Sequence, residues 1–326
     1  MSSLDLLCDK ASIIVTVYDR YNHIRECLES LEAAKGSENY HVIVGSDSPY
    51  TENHIEKIST VREYLLEKEK SHGFKKFTVI YHEKNIGPDE NFDACVALSK
   101  SFEHKSFIMM EDDVIVGSYF LEFISDGLSK FERDESVIAI NGYLDPNLIN
   151  KSSVAFLHNR FCAYGFASWH KKWDRLQERR MSVNYASKVL SDINIFKKIV
   201  KISPNAKSYP FLAENFYKAA DIEIGLMMEL ENLWTLVPAN SLTANRGMDG
   251  SGFRSGVNKE LQSMQPYNEK IDVPYPSNIA RYRLEEIKKY IALKYILQNW
   301  ISFIVYKYVP FGFKILKRLR VIKKSF

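Results

Sequence analysis

The first half of the chain predicts an α/β fold: a mostly parallel sheet flanked by helices. Three observations carry this. Short β-branched apolar runs alternate with segments of helical spacing. The runs are continuously apolar, as strands covered on both faces are. Polar residues collect directly after the runs, where parallel α/β sheets bind their ligands.

The elements follow in order. "SIIVTV" (12–17) reads as a strand. "NHIRECLESLEAA" (22–34) places Ile24, Cys27, Leu28 and Leu31 at helical spacing. "YHVIVGS" (40–46) is a second strand, and "TENHIEKISTVREYLLEKEK" (51–70) a helix with Thr51 as N-cap. "KFTVIYH" (76–82) is a third strand, and "PDENFDACVALSKSF" (88–102) a helix opened by Pro88. "SFIMM" (106–110) is a fourth strand. The second half is less regular. It offers strands at 136–142 and 233–238, helices at 166–177 and 214–232, and a glycine-rich loop at 245–256. No internal repeat is present.

Hydrophobic residues are 45% of 326, which supports a packed core and argues against disorder. Net charge is +3, unevenly spread. Residues 281–326 hold 12 Lys or Arg against two Glu, a local +10, which leaves about −7 on the preceding 280. Cys8, Cys27, Cys95 and Cys162 show no metal spacing, so buried free thiols in a reducing, cytoplasmic compartment are expected. The N-terminus carries no basic region followed by an apolar core, so no secretory signal is expected. No transmembrane run is present.

The sharpest feature is "FIMMEDDVIV" (107–116), where an apolar strand runs into Glu111, Asp112 and Asp113. Adjacent carboxylates repel unless a cation lies between them. Mg²⁺ and Mn²⁺ are often held by one or two carboxylates completed by substrate phosphates. A solvated acidic turn is the plain alternative. Asp19 and Arg20 follow the first run, Asp47 the second, and Asn85 and Gly87 the third.

"SIIVTVYDR", "VIVGSDS", "NIGPDENF" and "IMMEDDV" resemble, in order and spacing, the GT-A-fold (Rossmann-like) glycosyltransferases of the family-2 type. "AYGFASWHKKWDRL" and "LWTLVPANSLTANRGMDGSG" resemble segments of a bacterial branch related to the N-acetylglucosaminyltransferase I type, which carries Glu-Asp-Asp. The resemblance covers roughly residues 12 to 256.

The resemblance implies a metal-dependent glycosyltransferase that uses a nucleotide sugar, with uracil the favoured base. Asp113 would hold Mn²⁺ or Mg²⁺ against the donor diphosphate. Asp112 would contact the ribose or donor sugar, and Glu111 the donor sugar. Asp47 would accept a hydrogen bond from the base. Thr16, Tyr18 and Arg20 would line the nucleotide pocket, beside a turn at Asn85 and Gly87. Asp221 is the first candidate for the acceptor base of an inverting reaction, with Glu223 the alternative and Glu214 a distant third. Trp169 and Trp173, four apart, would share a helical face and offer a sugar platform, or be core. Gly165 would let the chain approach the donor. Relatives carry a His after Gly-Ser-Gly where this chain has Phe253-Arg254-Ser255, and Arg254 offers a cation for the diphosphate instead. The acceptor class is a glycan or lipid-linked glycan of bacterial surface polysaccharide or lipopolysaccharide biosynthesis.

The expected division is a catalytic domain at 1–275 and a basic amphipathic helical tail at 276–326. The tail fits an anionic membrane surface at the inner face of the plasma membrane. One or two interfacial helices would break near Pro310 and Gly312, with Trp300, Phe303, Tyr306 and Phe313 at headgroup level. Packing on its own domain or on a second subunit is the alternative. Long apolar runs between the charges argue against nucleic acid. The sequence sets no oligomeric state. The alternatives are an inactive sugar-nucleotide-binding or scaffold protein and a nucleotidyltransferase of similar fold, although the glycine-rich loop usual after the first strand of the latter is absent here. A dinucleotide oxidoreductase is excluded by the missing G-x-G-x-x-G.

Overall fold

The computed structural model describes residues 11–148, 152–215, 219–252, 256–287, 291–309 and 311–315. Four neighbouring strands run parallel along one side of the main sheet: β1 (Ala11–Val17), β2 (His41–Ser46), β3 (Lys76–Tyr81) and β4 (Ser106–Glu111). The helices between them are α1 (Tyr21–Ala33), α2 (Ile55–Lys70) and α3 (Pro88–Ser101). A short β5 (Val114–Val116) leads into α4 (Phe120–Phe131), β6 (Val137–Asn141) and β7 (Phe156–His158).

Beyond residue 160 come β8 (Phe166–Trp169), α5 (His170–Ser182), α6 (Tyr185–Ser191), α7 (Ile193–Ile199) and α8 (Tyr209–Ala213). Then follow α9 (Ala220–Glu231), β9 (Trp234–Val237), β10 (Thr243–Asn245), α10 (Lys259–Ser263), β11 (Arg281–Tyr282), α11 (Leu284–Ile287) and α12 (Leu293–Tyr308). The main sheet has the order β11-β7-β9-β6-β8-β4-β1-β2-β3, and β10 pairs with β5 in a separate antiparallel ribbon. Parallel pairs predominate, and β8 enters antiparallel between β4 and β6. The mixed α/β sheet is therefore the one the sequence predicts.

Side chains alternate across the strands, so Ile13 and Val15 face one core while Ile14 faces the other. The first core takes Leu28 of α1, Val61 of α2 and Ile124 of α4. The second takes Val96 of α3, Trp173 of α5, Met227 of α9 and Phe303 of α12.

Four local expectations differ. Thr51 precedes a 3₁₀ turn, Glu52–His54, with no side-chain cap bond, and the α-helix starts at Ile55. The segment 166–177 is not one helix, because Phe166–Trp169 is the strand β8. Trp169 and Trp173 therefore share no helical face. Both are buried, in the two separate cores, so Trp169 is not a sugar platform. The helix expected over 214–232 starts only at Ala220: Glu214 caps the end of α8, Asn215 turns left-handed at φ +51°, and Ala219 at φ −148° is not helical.

Past residue 275 the described segments β11 and α12 pack on the body. β11 extends the main sheet beside β7, and Asn299 and Phe303 of α12 are buried. No helix among the described residues is long and apolar enough to cross a membrane.

Candidate active site

The register of the four parallel strands aligns their carboxyl ends. Thr16 pairs with Gly45 on one side and Glu111 on the other, and Ser46 pairs with Tyr81. The residues that follow, Tyr18 to Arg20, Asp47, the 85–87 turn and the three acids, thus share one edge.

Arg20 crosses that edge to the acids. Its Nη2 pairs with Asp112 Oδ1, its Nε donates to Asp112 Oδ2 at 3.1 Å, and its Nη1 donates to Asp113 Oδ2 at 2.8 Å. Asp112 and Asp113 are both buried, so one guanidinium serves two desolvated carboxylates. Burial opposes the Arg20 charge, but the two carboxylates outweigh it and hold its pKa above the ordinary guanidinium range. Burial raises Asp112 to about 6 against the pull of Arg20. Burial, with Asp113 and Asp112 adding repulsion, pushes Glu111 up to about 8. Asp221 adds to that repulsion.

The ribbon of β5 and β10 completes the site. Asn245 pairs with Val114, the residue after Asp113, and its Nδ2 donates to Asp113 Oδ1 at 3.2 Å. The Asn245 Oδ1 accepts from Gly247 N–H at 2.8 Å. A Cβ on Gly247 would lie 2.0 Å from Asp113 Oδ2, so only glycine lets this loop close over the acid. Sequence reasoning missed Asn245 and Gly247 as partners of Asp113. The available signal was the glycine-rich loop itself.

The expected nucleotide contacts divide. Asp47 is buried and accepts four bonds: Ser48 N–H, Asn85 Nδ2, Ile86 N–H and Gly87 N–H, at 2.8 to 3.1 Å. A carboxylate has about four lone-pair positions, so no acceptor is left for a base. Asp47 braces the 85–87 turn rather than reading a base directly. Asn85 also donates to Ser48 C=O at 2.7 Å, and Gly87 holds φ +84° at the N-cap of α3. The Tyr18 hydroxyl bonds His54 Nδ1 and accepts from Tyr50 N–H. Arg20 turns to the acids, a different partner from the nucleotide expected. Gly165 has φ +77°, and a Cβ there would meet Thr243 Cγ2 at 2.8 Å, so its close approach is to protein. Arg254 lies outside the described residues.

Asp221 is exposed in the first turn of α9, where a carboxylate suits the helix dipole. Glu223 is committed to Arg180 at 2.6 Å, which disfavours it as a base. Beside the acids, an open cleft of about 560 Å³ is lined by His23, Glu26, Arg246, Asp249, Lys259 and Gln262, among others.

No group of three or more His, Cys, Asp or Glu among the described residues is arranged to hold a metal ion. The donor set still fits Mn²⁺ or Mg²⁺ in their substrate-completed mode, which needs one or two carboxylates and phosphate oxygens. A pair of buried carboxylates already gathered around one cation meets that need.

A search of curated proteins finds no match. Among solved structures, the chain is similar to a mannosyltransferase, PcManGT from Pyrobaculum calidifontis in complex with GDP-Man and Mn²⁺. That similarity has 14% identity, TM-score 0.38, and covers 51% of this chain and 46% of that one. S. aureus TarS 1-349 is similar at 13% identity and TM-score 0.43, over 74% of this chain and 61% of that one. The same protein in complex with UDP-GlcNAc gives 16%, TM-score 0.36, and 48% and 44% coverage. The chain thus spans about half the length of these structures. Residues 12–171 match the family model described as Glycosyl transferase family 2, a span that takes in all four strand ends and the three acids.

Proposed function

We propose that the protein transfers a sugar, a hexosyl or N-acetylhexosaminyl group, from a UDP-linked donor to a glycan or lipid-linked glycan acceptor. The reaction inverts the anomeric carbon and serves bacterial surface polysaccharide synthesis at the cytoplasmic face of the membrane. The observation that carries this reading is the trio Glu111, Asp112 and Asp113 at the carboxyl end of β4, gathered with Arg20 and Asn245.

Asp113 is the residue that would hold Mn²⁺ or Mg²⁺, which as a Lewis acid offsets charge on the departing diphosphate. Arg20 supplies a fixed positive charge at the same edge. Asp112 and Glu111 line the donor-sugar side. Asp221 takes the proton from the acceptor hydroxyl as its oxygen bonds to the anomeric carbon and the sugar–phosphate bond breaks. The nucleoside diphosphate leaves with that bonding pair. Tyr18 and the 85–87 turn, braced by Asp47, form the wall beside the nucleotide.

The test combines thermal shift with turnover. UDP-sugars with Mn²⁺ should raise the melting temperature of the wild type, and Asp113→Ala should remove the rise. Asp221→Asn should retain the rise and lose sugar transfer by about 10² or more. No rise in the wild type across UDP donors would sink the reading. Normal turnover in Asp221→Asn would remove that residue as the base.

A further inference from the structure

The helix α12 has two apolar faces, and among the described residues only one is packed. The inner face is fixed on the body. Asn299 is fully buried and donates to Val200 C=O and Ser203 C=O, while accepting from Lys207 N–H at 2.8 Å. Phe303 stacks on Phe196 with centroids 4.4 Å apart, and Trp300 meets the same ring edge-on. Phe313 packs against Phe211 and Tyr306. The aromatics expected at a membrane surface therefore face the protein, and the orientation of the helix is set by buried polar bonds.

That orientation turns a second stripe outward. Leu293, Leu297, Ile301, Ile304 and Tyr308 are 46 to 69% exposed, at steps of four, four, three and four residues. At 100° per residue they fall within one arc of about 80°. Lys294 borders the arc on one side and Lys307 on the other, and both are exposed. Phe311, 76% exposed, lies just beyond the helix. An exposed apolar stripe on a helix already anchored through its other face calls for a cover.

We propose that this outer stripe of α12 docks the protein on an anionic lipid surface, lying in the plane of the headgroups. Charge selects the occupant. Residues 288–326 contain ten Lys or Arg and no Asp or Glu. A second copy would bring the flanking Lys294 and Lys307 of each chain together along the stripe, with no acid in 288–326 to offset them, which opposes self-association through this face. An anionic bilayer complements them, with the lysine stems lying along the apolar stripe and the ammonium groups at the phosphates. The proposal is independent of the sugar-transfer reading, because binding is measured without donor or acceptor.

Co-sedimentation of the full chain with phosphatidylcholine vesicles, with and without phosphatidylglycerol, tests it. Binding is expected only with phosphatidylglycerol, weakening as salt rises. The double variant Leu297→Glu/Ile301→Glu should lose roughly tenfold or more in binding while keeping its melting temperature, since neither side chain is buried. Phe303→Ala, which disrupts the inner face, serves as the contrast: it should lower the melting temperature. Absence of wild-type binding to anionic vesicles would overturn the proposal. So would undiminished binding by the double variant. A dimer of the wild type in solution that the double variant abolishes, with no lipid binding by either, would assign the stripe to a second copy.

Discussion

Arg20 makes two buried carboxylates at one strand end tolerable. It is the fourth residue after Thr16, and α1 begins directly after it, so the turn from strand to helix aims its side chain back across the edge. Sequence alone placed Arg20 at the right edge but pointed it at a nucleotide. The same lesson holds for Asp47, whose four bonds to the 48–87 region become visible only when the second and third strand ends are adjacent. At the opposite end of the sheet, His170 shows how burial sets pH dependence. Its Nε2 bonds Ser99 Oγ, and its Nδ1 is buried without a hydrogen-bond partner. Burial, aided by Lys100 and opposed by Asp174, lowers its pKa to about 4. The unfolded histidine takes up a proton below its ordinary 6.5, and the folded one only below about 4. Stability should therefore fall as pH drops from 6.5 to 4, with His41, lowered to about 4 mainly by burial, contributing a second share. The variant His170→Gln should lose less stability across that window in chemical denaturation. An unchanged slope would refute this account.

Among the elements, the two-stranded ribbon of β5 and β10 decides the site. β5 follows the acids directly, while β10 arrives from 127 residues later and delivers Asn245 and Gly247 to Asp113. A methyl group on Gly247 has no room unless the Asp113 carboxylate moves. Gly247→Ala should consequently reduce transfer on the order of a hundredfold, as misplacing an acting group by about 1 Å does. It should leave the fold intact, because the contact is at the edge of the sheet. Turnover assays beside circular dichroism check both halves, and wild-type turnover would remove the loop from the site. The first four strands and three helices were legible because each has one clear period. β8 was not: "FASW" borders a strongly helical stretch, and its strand state comes from pairing with both β4 and β6. Propensity loses there to tertiary pairing.

At the scale of the whole molecule, the described part of the basic C-terminal region packs on the body, the alternative the sequence left beside a membrane surface. β11 closes one end of the sheet, Arg283 pairs with Glu229, and α12 covers Phe196. Removing residues 281–326 should expose Phe196 and strand the carbonyls that Asn299 satisfies, at a cost of about 3 kcal/mol or more. A thermal melt of the truncated chain should show a marked drop, and a melt equal to that of the full chain would contradict the packing described. Membrane docking is for the same reason tested with point variants.

By itself the sequence determined the alternating strands and helices, the edge where polar residues gather, and the unbalanced charge. These are local quantities: periodicity, side-chain chemistry and composition do not depend on what lies across the fold. Only the tertiary structure decided which residues meet there. It turned Arg20 to Asp112 and Asp113, spent Asp47 on a turn, buried Trp169, and set which face of α12 looks outward. Each of those depends on partners far away in the chain, and a side chain's role follows from the partner that desolvates it or satisfies it.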